Sequence, residues 1–474
     1  MQSLPIVADS AVPRVEALGS QLRIFPALTS SLDVARAVAV RHTMQDDDSA
    51  FFVVNYGRII DQWMQWQRLL PRVEVFYAVK CNNDSRLMQL LASLGAGFDC
   101  ASKNEIDQVL SMGVISPDKI IYANPCKTRN YIRHAKACNV KMMTFDNLDE
   151  LTKVHQLYPE AELVLRIRLM SDTSAQCPLN VKFGCDPENV APDLLKAAAA
   201  LGHSVVGISF HVGSGCQDAS AYNVAIGHAK NLFDLGRALN HPMSLLDIGG
   251  GFPGFDSDII TFPEIAAVIN SALATYFPLD YDVRVIAEPG RYFAAAAFTL
   301  VCSVMAKTRV PASRITNDER DGDCDGFMYY INDGVYGSFN CVLYDHFHPT
   351  GKPLFNKENV PSTWATIWGP TCDGLDQVVE QCRLPCFTEG EWMVFENMGA
   401  YTSAAGSEFN GFERPLFYYY VTEDQWGSLA PLVEVDELNG QQSVDSDTEC
   451  ESVVEESLCS SLNSVSSYTS SVLA

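Results

Sequence analysis

The sequence predicts an α/β protein with a parallel (β/α)8 TIM barrel, followed by a second, antiparallel β domain. Between about residue 73 and residue 290, eight short apolar runs alternate with helix-like segments, which is the arrangement of a TIM barrel. After about residue 298, short runs rich in aromatic and β-branched residues are separated by Gly, Pro and Asn, as in antiparallel sheets. A doubly wound sheet is the alternative for the first part, because strand number alone does not exclude it.

The predicted barrel strands are short apolar runs that end in polar or turn residues. They are Val73–Val79, Gly97–Asp99, Ile120–Asn124, Val140–Phe145, Glu162–Ile167, Val205–Val212, Ser244–Ile248 and Val283–Ala287. Helix ends between them support the alternation. Ser102 and Glu105 have the spacing of a capping box, and Gly113 is placed to end that helix. The Ala- and Leu-rich segment Ala191–Gly202 also ends in a glycine.

Pattern and composition divide the 474 residues into four parts. We expect an N-terminal segment that contributes to the β domain (1–47), the barrel (48–292), the C-terminal β domain (293–430) and a tail rich in Ser, Glu and Asp (431–474). Within the first part, Gln21–Pro26 is expected to supply a strand to the β domain. The tail lacks the apolar spacing of a packed helix, so it is predicted to be disordered.

Charge and composition argue against several classes of function. Asp plus Glu number 58 and Lys plus Arg 33, for a net charge of -25, which disfavours broad binding to nucleic acid or anionic membranes. The longest apolar stretch, within Phe293–Ala306, is too short to cross a bilayer. The N-terminus has no signal-peptide pattern, and the 15 cysteines include no CxxC pair. We therefore expect reduced thiols, a cytoplasmic location and no metal site.

Polar residues and glycines follow the predicted strands at the carboxyl end of the barrel, where active sites of this fold lie. A lysine after a strand is usually a surface residue, and a glycine triplet is usually a tight turn, so each residue alone is weak evidence. Their shared position at strand ends makes a site the better interpretation. The residues are Lys80, Asp99, Arg166, His211, Gly249, Gly250, Gly251 and Glu288.

This set of residues suits a ligand with an anionic group, a ring nitrogen and an aldehyde. The glycine triplet allows backbone N–H groups to approach an anion, and Ser214 and Arg291 add donors. Glu288 is suited to hold a protonated ring nitrogen, and His211 offers a flat ring for stacking. Lys80 is suited to form a Schiff base with an aldehyde if its surroundings lower its pKa. Together these groups describe pyridoxal phosphate.

Eight ordered motifs closely resemble those of eukaryotic ornithine decarboxylases, which are fold-type III pyridoxal-phosphate enzymes with an alanine-racemase-like fold. The resemblance extends from about residue 20 to residue 421. The motifs are FYAVKCN (Phe76–Asn82), FDCASKNE (Phe98–Glu105), FHVGSG (Phe210–Gly215), DIGGGFPG (Asp247–Gly254), EPGRY (Glu288–Tyr292), YDH (Tyr344–His346), WGPTCDGLD (Trp368–Asp376) and ENMGAYT (Glu396–Thr402).

The resemblance implies a role for each matching position. It makes Lys80 the Schiff-base lysine, Cys372 the donor that reprotonates the α-carbon of the substrate, and His211 the residue that stacks on the cofactor ring. The cofactor-binding positions that it implies are Lys80, Asp99, Glu105, Arg166, His211, Ser214, Gly249, Gly250, Gly251, Glu288, Pro289, Gly290, Arg291 and Tyr401. The implied substrate-binding positions are Tyr344, Asp345 and Asp373, whose carboxylates hold a distal ammonium.

The activity implied by this resemblance is decarboxylation of L-ornithine to putrescine and CO2, the first step of polyamine synthesis. Ornithine and lysine differ by one methylene, worth only about 1–3 kcal/mol in a pocket, so a preference for lysine stays open. A decarboxylase of a non-basic amino acid, a racemase and a non-catalytic protein like the antizyme inhibitors are further alternatives. The last is disfavoured because residues such as Lys80, Arg291 and Cys372 are all present.

Partners are also implied by the resemblance. A homodimer with active sites at its interface is expected, in which the Cys372 loop serves the partner subunit's Lys80 and Lys182 and Asp376 bridge the two chains. Lys127–Lys141 is the most basic stretch of this acidic sequence. In the family this region binds antizyme, although charged runs of this kind are usually solvated helix faces.

Overall fold

Residues 22–169, 175–177 and 182–429 are described by the structure, a computed structural model. The chain begins with β1 (Leu22–Phe25), α1 (Ser31–Met44), β2 (Phe51–Asn55) and α2 (Tyr56–Leu69). The predicted tail (431–474) lies outside the described residues.

The barrel part consists of short strands that alternate with helices. Its strands are β3 (Val73–Ala78), β4 (Gly97–Cys100), β5 (Ile120–Tyr122), β6 (Met142–Phe145), β7 (Glu162–Ile167), β8 (Ala175–Cys177), β9 (Val205–Phe210), β10 (Ser214–Cys216), β11 (Leu245–Asp247) and β12 (Arg284–Ala287). Its helices are α3 (Ser85–Ser93), α4 (Lys103–Ser111), α5 (Arg129–Ala137), α6 (Leu148–Leu157), α7 (Ala191–Leu201), α8 (Ser220–Ala238) and α9 (Phe262–Tyr276).

Eight of these strands form a closed parallel barrel in chain order, whereas β8 and β10 form a separate two-stranded sheet among the described residues. The last barrel strand, β12, pairs with the first, β3, so that Val285 lies opposite Val73. A doubly wound sheet has two open edges, so this closure excludes it. The predicted TIM barrel is confirmed.

Helix ends follow the local sequence signals with one difference. Ser102 caps α4 by accepting a hydrogen bond from the Glu105 N–H at 3.3 Å. The Glu105 carboxylate accepts from the Ala101 N–H at 2.5 Å instead of returning to Ser102, so the predicted capping box is only half formed. At the other signal, α7 ends in Gly202, whose φ of 69° is the left-handed conformation that favours glycine.

The second domain is a nine-stranded sheet. Its later strands are β13 (Phe298–Pro311), β14 (Asp325–Ile331), β15 (Gly351–Pro353), β16 (Ser362–Trp368), β17 (Gln377–Pro385), β18 (Trp392–Phe395) and β19 (Leu416–Thr422). A short helix, α10 (Arg291–Ala294), joins the barrel to this domain, whose other short helices are α11 (Ser313–Thr316), α12 (Cys341–Tyr344) and α13 (Glu423–Leu429).

The order of the main path is β1-β19-β2-β13-β14-β16-β17, and β18 pairs with both β13 and β15. Five pairings are antiparallel and three are parallel, namely β1 with β19, β19 with β2, and β14 with β16. The antiparallel domain is therefore confirmed in its main character. Two of its parallel pairs arise because the N-terminal strands flank the last strand of the chain.

The sequence pattern did not predict which sheet two of the segments join. β2 falls inside the range predicted for the barrel (48–292), but it pairs with β13 and β19 in the second domain. The apolar stretch within Phe293–Ala306 contributes the first half of β13, where it is buried between β2 and β18. Among the described residues, no helix is long and apolar enough to cross a membrane.

Barrel strands alternate their side chains between two apolar clusters. In β3, Val75 and Tyr77 pack in a large cluster shared with the surrounding helices. Phe76, between them, packs in a smaller cluster that is made from other barrel strands and includes Ile121 and Ile286. This period of two is expected for a closed parallel barrel with a filled interior. The barrel is thus held together by packing on both of its faces.

We expect Gly207→Ala to destabilise the protein. A Cβ at this position in β9 would lie 2.1 Å from the backbone oxygen of Leu245 in the neighbouring strand, and backbone cannot move aside. Overpacking of this kind costs about 1–3 kcal/mol or more. Thermal unfolding followed by circular dichroism should give a clearly lower midpoint.

The matched control is Gly427→Ala in α13, where an added Cβ meets nothing within 4 Å. In a helix this change is neutral or stabilising, by up to about 1 kcal/mol. Equal midpoints for the two variants would contradict the packing described for β9.

Candidate active site

The predicted cofactor residues lie at the carboxyl ends of barrel strands. Lys80 is in the turn directly after β3, and Asp99 is near the end of β4. Arg166 is in β7, His211 follows β9, and Glu288 follows β12. Because all eight barrel strands are parallel, these ends open on the same side of the molecule. The structure therefore brings together residues that are far apart in the chain.

Lys80 lies beside two carboxylates. Its Nζ donates a hydrogen bond to Asp99, which is fully buried, while 40% of the Lys80 side chain is exposed at the open end of the barrel. Burial lowers the pKa of Lys80, but the negative charges of Asp99 and Glu288 outweigh this effect and raise it. In this structure the pKa of Lys80 is therefore raised and not lowered. Asp99 in direct contact keeps the ammonium protonated.

Glu288 shares its buried position with a second acid, Asp247. The Glu288 N–H donates to the Gly249 carbonyl at 2.7 Å, and one Asp247 oxygen accepts from the Gly249 N–H at 2.9 Å. Burial raises the pKa of Glu288 well above its usual value, and repulsion from Asp247 and Asp99 adds to the increase. Burial also raises the pKa of Asp247. The two carboxyl groups can therefore hold a proton near neutral pH.

Sequence reasoning missed Asp247. It lies in the DIGGGFPG motif, but only the glycines were given a role. The signal available was an acid at the end of a barrel strand, directly before the glycine triplet.

His211 is a neutral ring that lies against the glycine triplet. Its Nδ1 accepts a hydrogen bond from the Gly213 N–H at 3.0 Å. Burial, with the nearby cations of Arg166 and Lys80, holds the His211 pKa well below its usual value. A Cβ on Gly250 would lie 2.8 Å from the His211 Nε2, so only glycine allows this close approach. A flat, uncharged surface of this kind suits ring stacking.

Arg291, the first residue of α10, forms the anion-binding end of the site. One of its amino groups donates to the Ser214 hydroxyl at 2.9 Å, and its guanidinium lies 5.2 Å from the centre of the Tyr401 ring. Its two amino groups also donate to both oxygens of Asp345, at 2.8 and 2.5 Å. Asp345 is thus a buried partner of Arg291. Asp345 therefore occupies two Arg291 amino groups that are also suited to donate to an anionic ligand.

The loop after Glu288 packs directly on the Lys80 turn. The Pro289 carbonyl accepts from the Ala78 N–H at 3.3 Å. A Cβ on Gly290 would lie 2.6 Å from the Cys81 Cβ, so this position is restricted to glycine. These two predicted cofactor positions therefore set the distance between the Lys80 turn and Glu288.

Glu105 and Arg166 complete the predicted cofactor set. Glu105 is half-buried near Asp99, and burial raises its pKa. One amino group of Arg166 lies 3.4 Å from the Ala123 carbonyl, and its guanidinium lies 5.4 Å from the centre of the Phe183 ring. Both residues therefore border the Lys80 and His211 part of the site.

Cys372 and Asp373 form a separate group, in the loop between β16 and β17. Cys372 is exposed, and its N–H donates to the Asn410 side chain at 3.2 Å. Asp373 accepts a hydrogen bond from the Tyr336 hydroxyl, which lowers the pKa of Asp373. Within the described part of the chain, neither makes a hydrogen bond or ion pair with the Lys80 and Arg291 groups.

Tyr344, the other predicted substrate residue, is 72% exposed. Two further residues escaped sequence reasoning. Gln176 donates to the Asp345 carbonyl at 2.5 Å and to its carboxylate at 3.1 Å, and Tyr336 holds Asp373. No sequence signal marks either residue, because each contact joins distant segments.

Comparison with known proteins agrees with this geometry. Residues 56–295 match the family model described as the pyridoxal-binding domain of pyridoxal-dependent decarboxylases. A curated ornithine decarboxylase of Panagrellus redivivus is 54% identical over 399 residues, covering 84% of this chain and 91% of that protein. That of Caenorhabditis elegans is 51% identical over 425 residues, covering 90% and 100%. The chain belongs to the ornithine decarboxylase family.

Two further similar proteins have names other than ornithine decarboxylase. Antizyme inhibitor 2 of Xenopus laevis is 45% identical over 431 residues, covering 90% of this chain and 93% of that protein. The solved arginine decarboxylase of Paramecium bursaria Chlorella virus, bound to agmatine, superposes with a TM-score of 0.75 at 35% identity, covering 82% and 100%. The predicted fold-type III architecture is confirmed.

Within the ornithine decarboxylase family, the chain is a pyridoxal-phosphate-dependent carboxy-lyase. Its residues fit that cofactor on structural grounds. A buried pair of carboxyl groups can face a ring nitrogen, and a neutral imidazole can face a ring. Arg291, Ser214 and the glycine backbone match an anionic group. The predicted family and cofactor are confirmed.

Proposed function

We propose that this chain decarboxylates L-ornithine to putrescine and CO2, and so begins polyamine synthesis. The observation that carries the proposal is the group formed by Lys80, Asp99 and Glu288 at the open end of the barrel. The relatives at 51% and 54% identity, which are named ornithine decarboxylases, point to ornithine among the basic amino acids. A cytoplasmic location accompanies this proposal.

Each part of the site has a separate task toward the cofactor. When bound, pyridoxal phosphate supplies an electron-accepting ring that makes loss of CO2 feasible. Arg291, Ser214 and the backbone of the glycine triplet are suited to hold its phosphate. Glu288, whose pKa is raised by burial, can keep a proton at the ring nitrogen. His211, whose pKa is held low by burial and by the cations of Arg166 and Lys80, provides the stacking surface.

The position of Lys80 depends on Asp99. The Lys80 nitrogen acts as a nucleophile only after it has lost its proton. Asp99 is buried and in direct contact with Nζ, so it holds the Lys80 amine at the open end of the barrel. Cys372 is proposed as the donor that returns a proton to the α-carbon of the substrate. Its thiol is exposed on a loop, and exposure is required of a group that enters the active site of a partner chain.

Recognition of the distal ammonium is assigned to carboxylates. The Tyr336 hydroxyl holds the pKa of Asp373 below its usual value, so Asp373 is ionised at neutral pH. An ammonium taken out of water needs such a charged partner. Asp345 supplies a second acid, although Arg291 already pairs with it in this chain. Lysine, one methylene longer than ornithine, is the alternative substrate.

We expect purified protein supplied with pyridoxal phosphate to release CO2 fastest from ornithine, when compared with lysine, arginine, leucine and diaminopimelate. Lys80→Ala should lower this activity by about 1,000-fold or more, since it removes the nucleophile. Lys196→Ala is the control. Lys196 is exposed on α7 and pairs with Asp193, which is also exposed. Faster CO2 release from another amino acid would make that amino acid the assigned substrate. No CO2 release from any of the five would contradict the proposal.

We further propose a homodimer in which each site combines the Lys80 group of one chain with the Cys372 loop of the other. Support comes from the described part of the chain, where no hydrogen bond or ion pair joins the Cys372 loop to the Lys80 group. The expected bridge between Lys182 and Asp376 adds little support. Asp376 is 1% exposed, and its carboxylate already accepts from the Val335 N–H and from both donors of Thr371. The dimer proposal therefore rests on the divided site.

Mixing two defective variants tests this division. Lys80→Ala and Cys372→Ala should each have low activity alone. After dissociation and reassembly together, activity should return to about one quarter of the wild-type value, because half of the dimers are mixed and each mixed dimer has one intact site. A mixture no more active than the mean of its two components would contradict shared sites. Sedimentation checks that both variants form the same assembly.

We also propose that the Lys127–Lys141 segment binds antizyme, supported by its basic charge and by the relatedness to an antizyme inhibitor. Lys127 itself is not available to a partner. Its side chain is fully buried, and its Nζ donates to the Thr144 carbonyl at 2.6 Å and pairs with Glu150 at 3.0 Å. The exposed cations of the segment include Arg129 and Arg133.

Reversing both exposed charges, Arg129→Glu with Arg133→Glu, should weaken antizyme binding by about tenfold or more. Each surface charge pair contributes modestly to the binding free energy, and the two contributions add. Immobilised antizyme and purified variants give the affinity directly. Arg320→Glu, an exposed charge on the second domain, should bind as the wild type does. Unchanged affinity of the double variant would exclude this face.

A further inference from the structure

Three side chains of different chemistry meet on the outer surface of the barrel, between α4 and α5. Asp107 lies in α4, His134 lies in α5, and Cys138 is the residue that caps the end of α5. The His134 Nε2 is 2.6 Å from an Asp107 oxygen and 3.4 Å from the Cys138 sulfur. All three donor atoms lie within 4.8 Å of one another.

This meeting results from helix geometry. His134 and Cys138 are four residues apart, so successive turns of the helix place them on one face. Asp107 reaches the same point from the neighbouring helix of the barrel, 27 residues earlier in the chain. A site made from two helices has no short sequence motif. The absence of a CxxC pair therefore does not exclude a metal site of this kind.

The donor set indicates a particular kind of ion. A thiolate and an imidazole favour zinc and similar borderline ions, whereas magnesium and calcium prefer oxygen ligands. With metal–ligand bonds of about 2.0–2.3 Å, tetrahedral zinc holds its ligand atoms about 3.4–3.6 Å apart. The distance from the Cys138 sulfur to the His134 Nε2 already has this value, 3.4 Å. Asp107, whose side chain is 47% exposed, needs only a small rotation.

We propose that Asp107, His134 and Cys138 form a three-ligand site for Zn2+ or a similar divalent ion, with water as the fourth ligand. The site joins α4 to α5 on the outside of the barrel. It uses no residue of the proposed active site, so it is independent of the proposed decarboxylation. Within the described residues, no other group of three His, Cys, Asp or Glu side chains is arranged to hold a metal ion.

Cobalt is the first probe, because a Co2+–thiolate bond absorbs in the near ultraviolet. Full-length protein carrying pyridoxal phosphate is titrated with Co2+ and then with Zn2+. One thiolate-bound Co2+ per chain, displaced by Zn2+, is the expected result. Cys138→Ser and His134→Gln should each weaken binding at least tenfold. Cys126→Ser, which changes an exposed cysteine just before α5, should bind as the wild type does. A cobalt–thiolate signal that is absent from the wild type, or unchanged in Cys138→Ser, overturns the proposal.

A second measurement needs no variant. Wild-type protein is treated with iodoacetamide with and without Zn2+, and the modified peptides are measured by mass spectrometry. Zn2+ should slow alkylation of Cys138 at least tenfold and leave Cys126 unaffected. Equal protection of both cysteines, or of neither, overturns the proposal even if the variants fail to fold.

Discussion

The pairing of β12 with β3 is the constraint on which the site depends. This contact closes the barrel and brings the turn after β3 next to the loop after β12. The Pro289 carbonyl then accepts from the Ala78 N–H, and Gly290 packs on Cys81. Lys80 and Glu288, which are distant in sequence, become neighbours through backbone contacts alone. In an open sheet made of the same strands, the amine of Lys80 would lie far from the carboxyl group of Glu288.

The second domain fixes the same turn from the other side. The Asn82 side chain donates to the Gly399 carbonyl at 2.8 Å, and the Tyr401 N–H donates to the Cys81 carbonyl at 2.8 Å. A hydroxyl of the last sheet strand, that of Tyr419, also donates to Asp84 at 2.6 Å. Lys80 is therefore held between two domains. Rigid support of this kind is what a reactive side chain needs to keep its geometry.

Much of this architecture was predictable from local signals. Short apolar runs with polar ends identified all eight barrel strands, and the glycine triplet after β11 marked the open end of the barrel. What the sequence did not predict depends on contacts between distant segments. The raised pKa of Lys80 requires Asp99 in contact, and the pairing of Asp345 with Arg291 requires the second domain to meet the barrel. The sheet membership of β2 likewise depends on strands at the other end of the chain.

Lys80 and the side chains around it project from the ends of barrel strands, while packing elsewhere holds the barrel together. Phe76 and Ile286 are fully buried in the barrel interior, whereas much of the Lys80 side chain reaches solvent. Loss of Lys80 removes little apolar packing, so the packed barrel stays in place even though the buried Asp99 loses its cation. After a gene duplication, one copy can therefore lose catalysis by a single substitution and keep an intact surface. Selection can then retain that copy for the partners it binds.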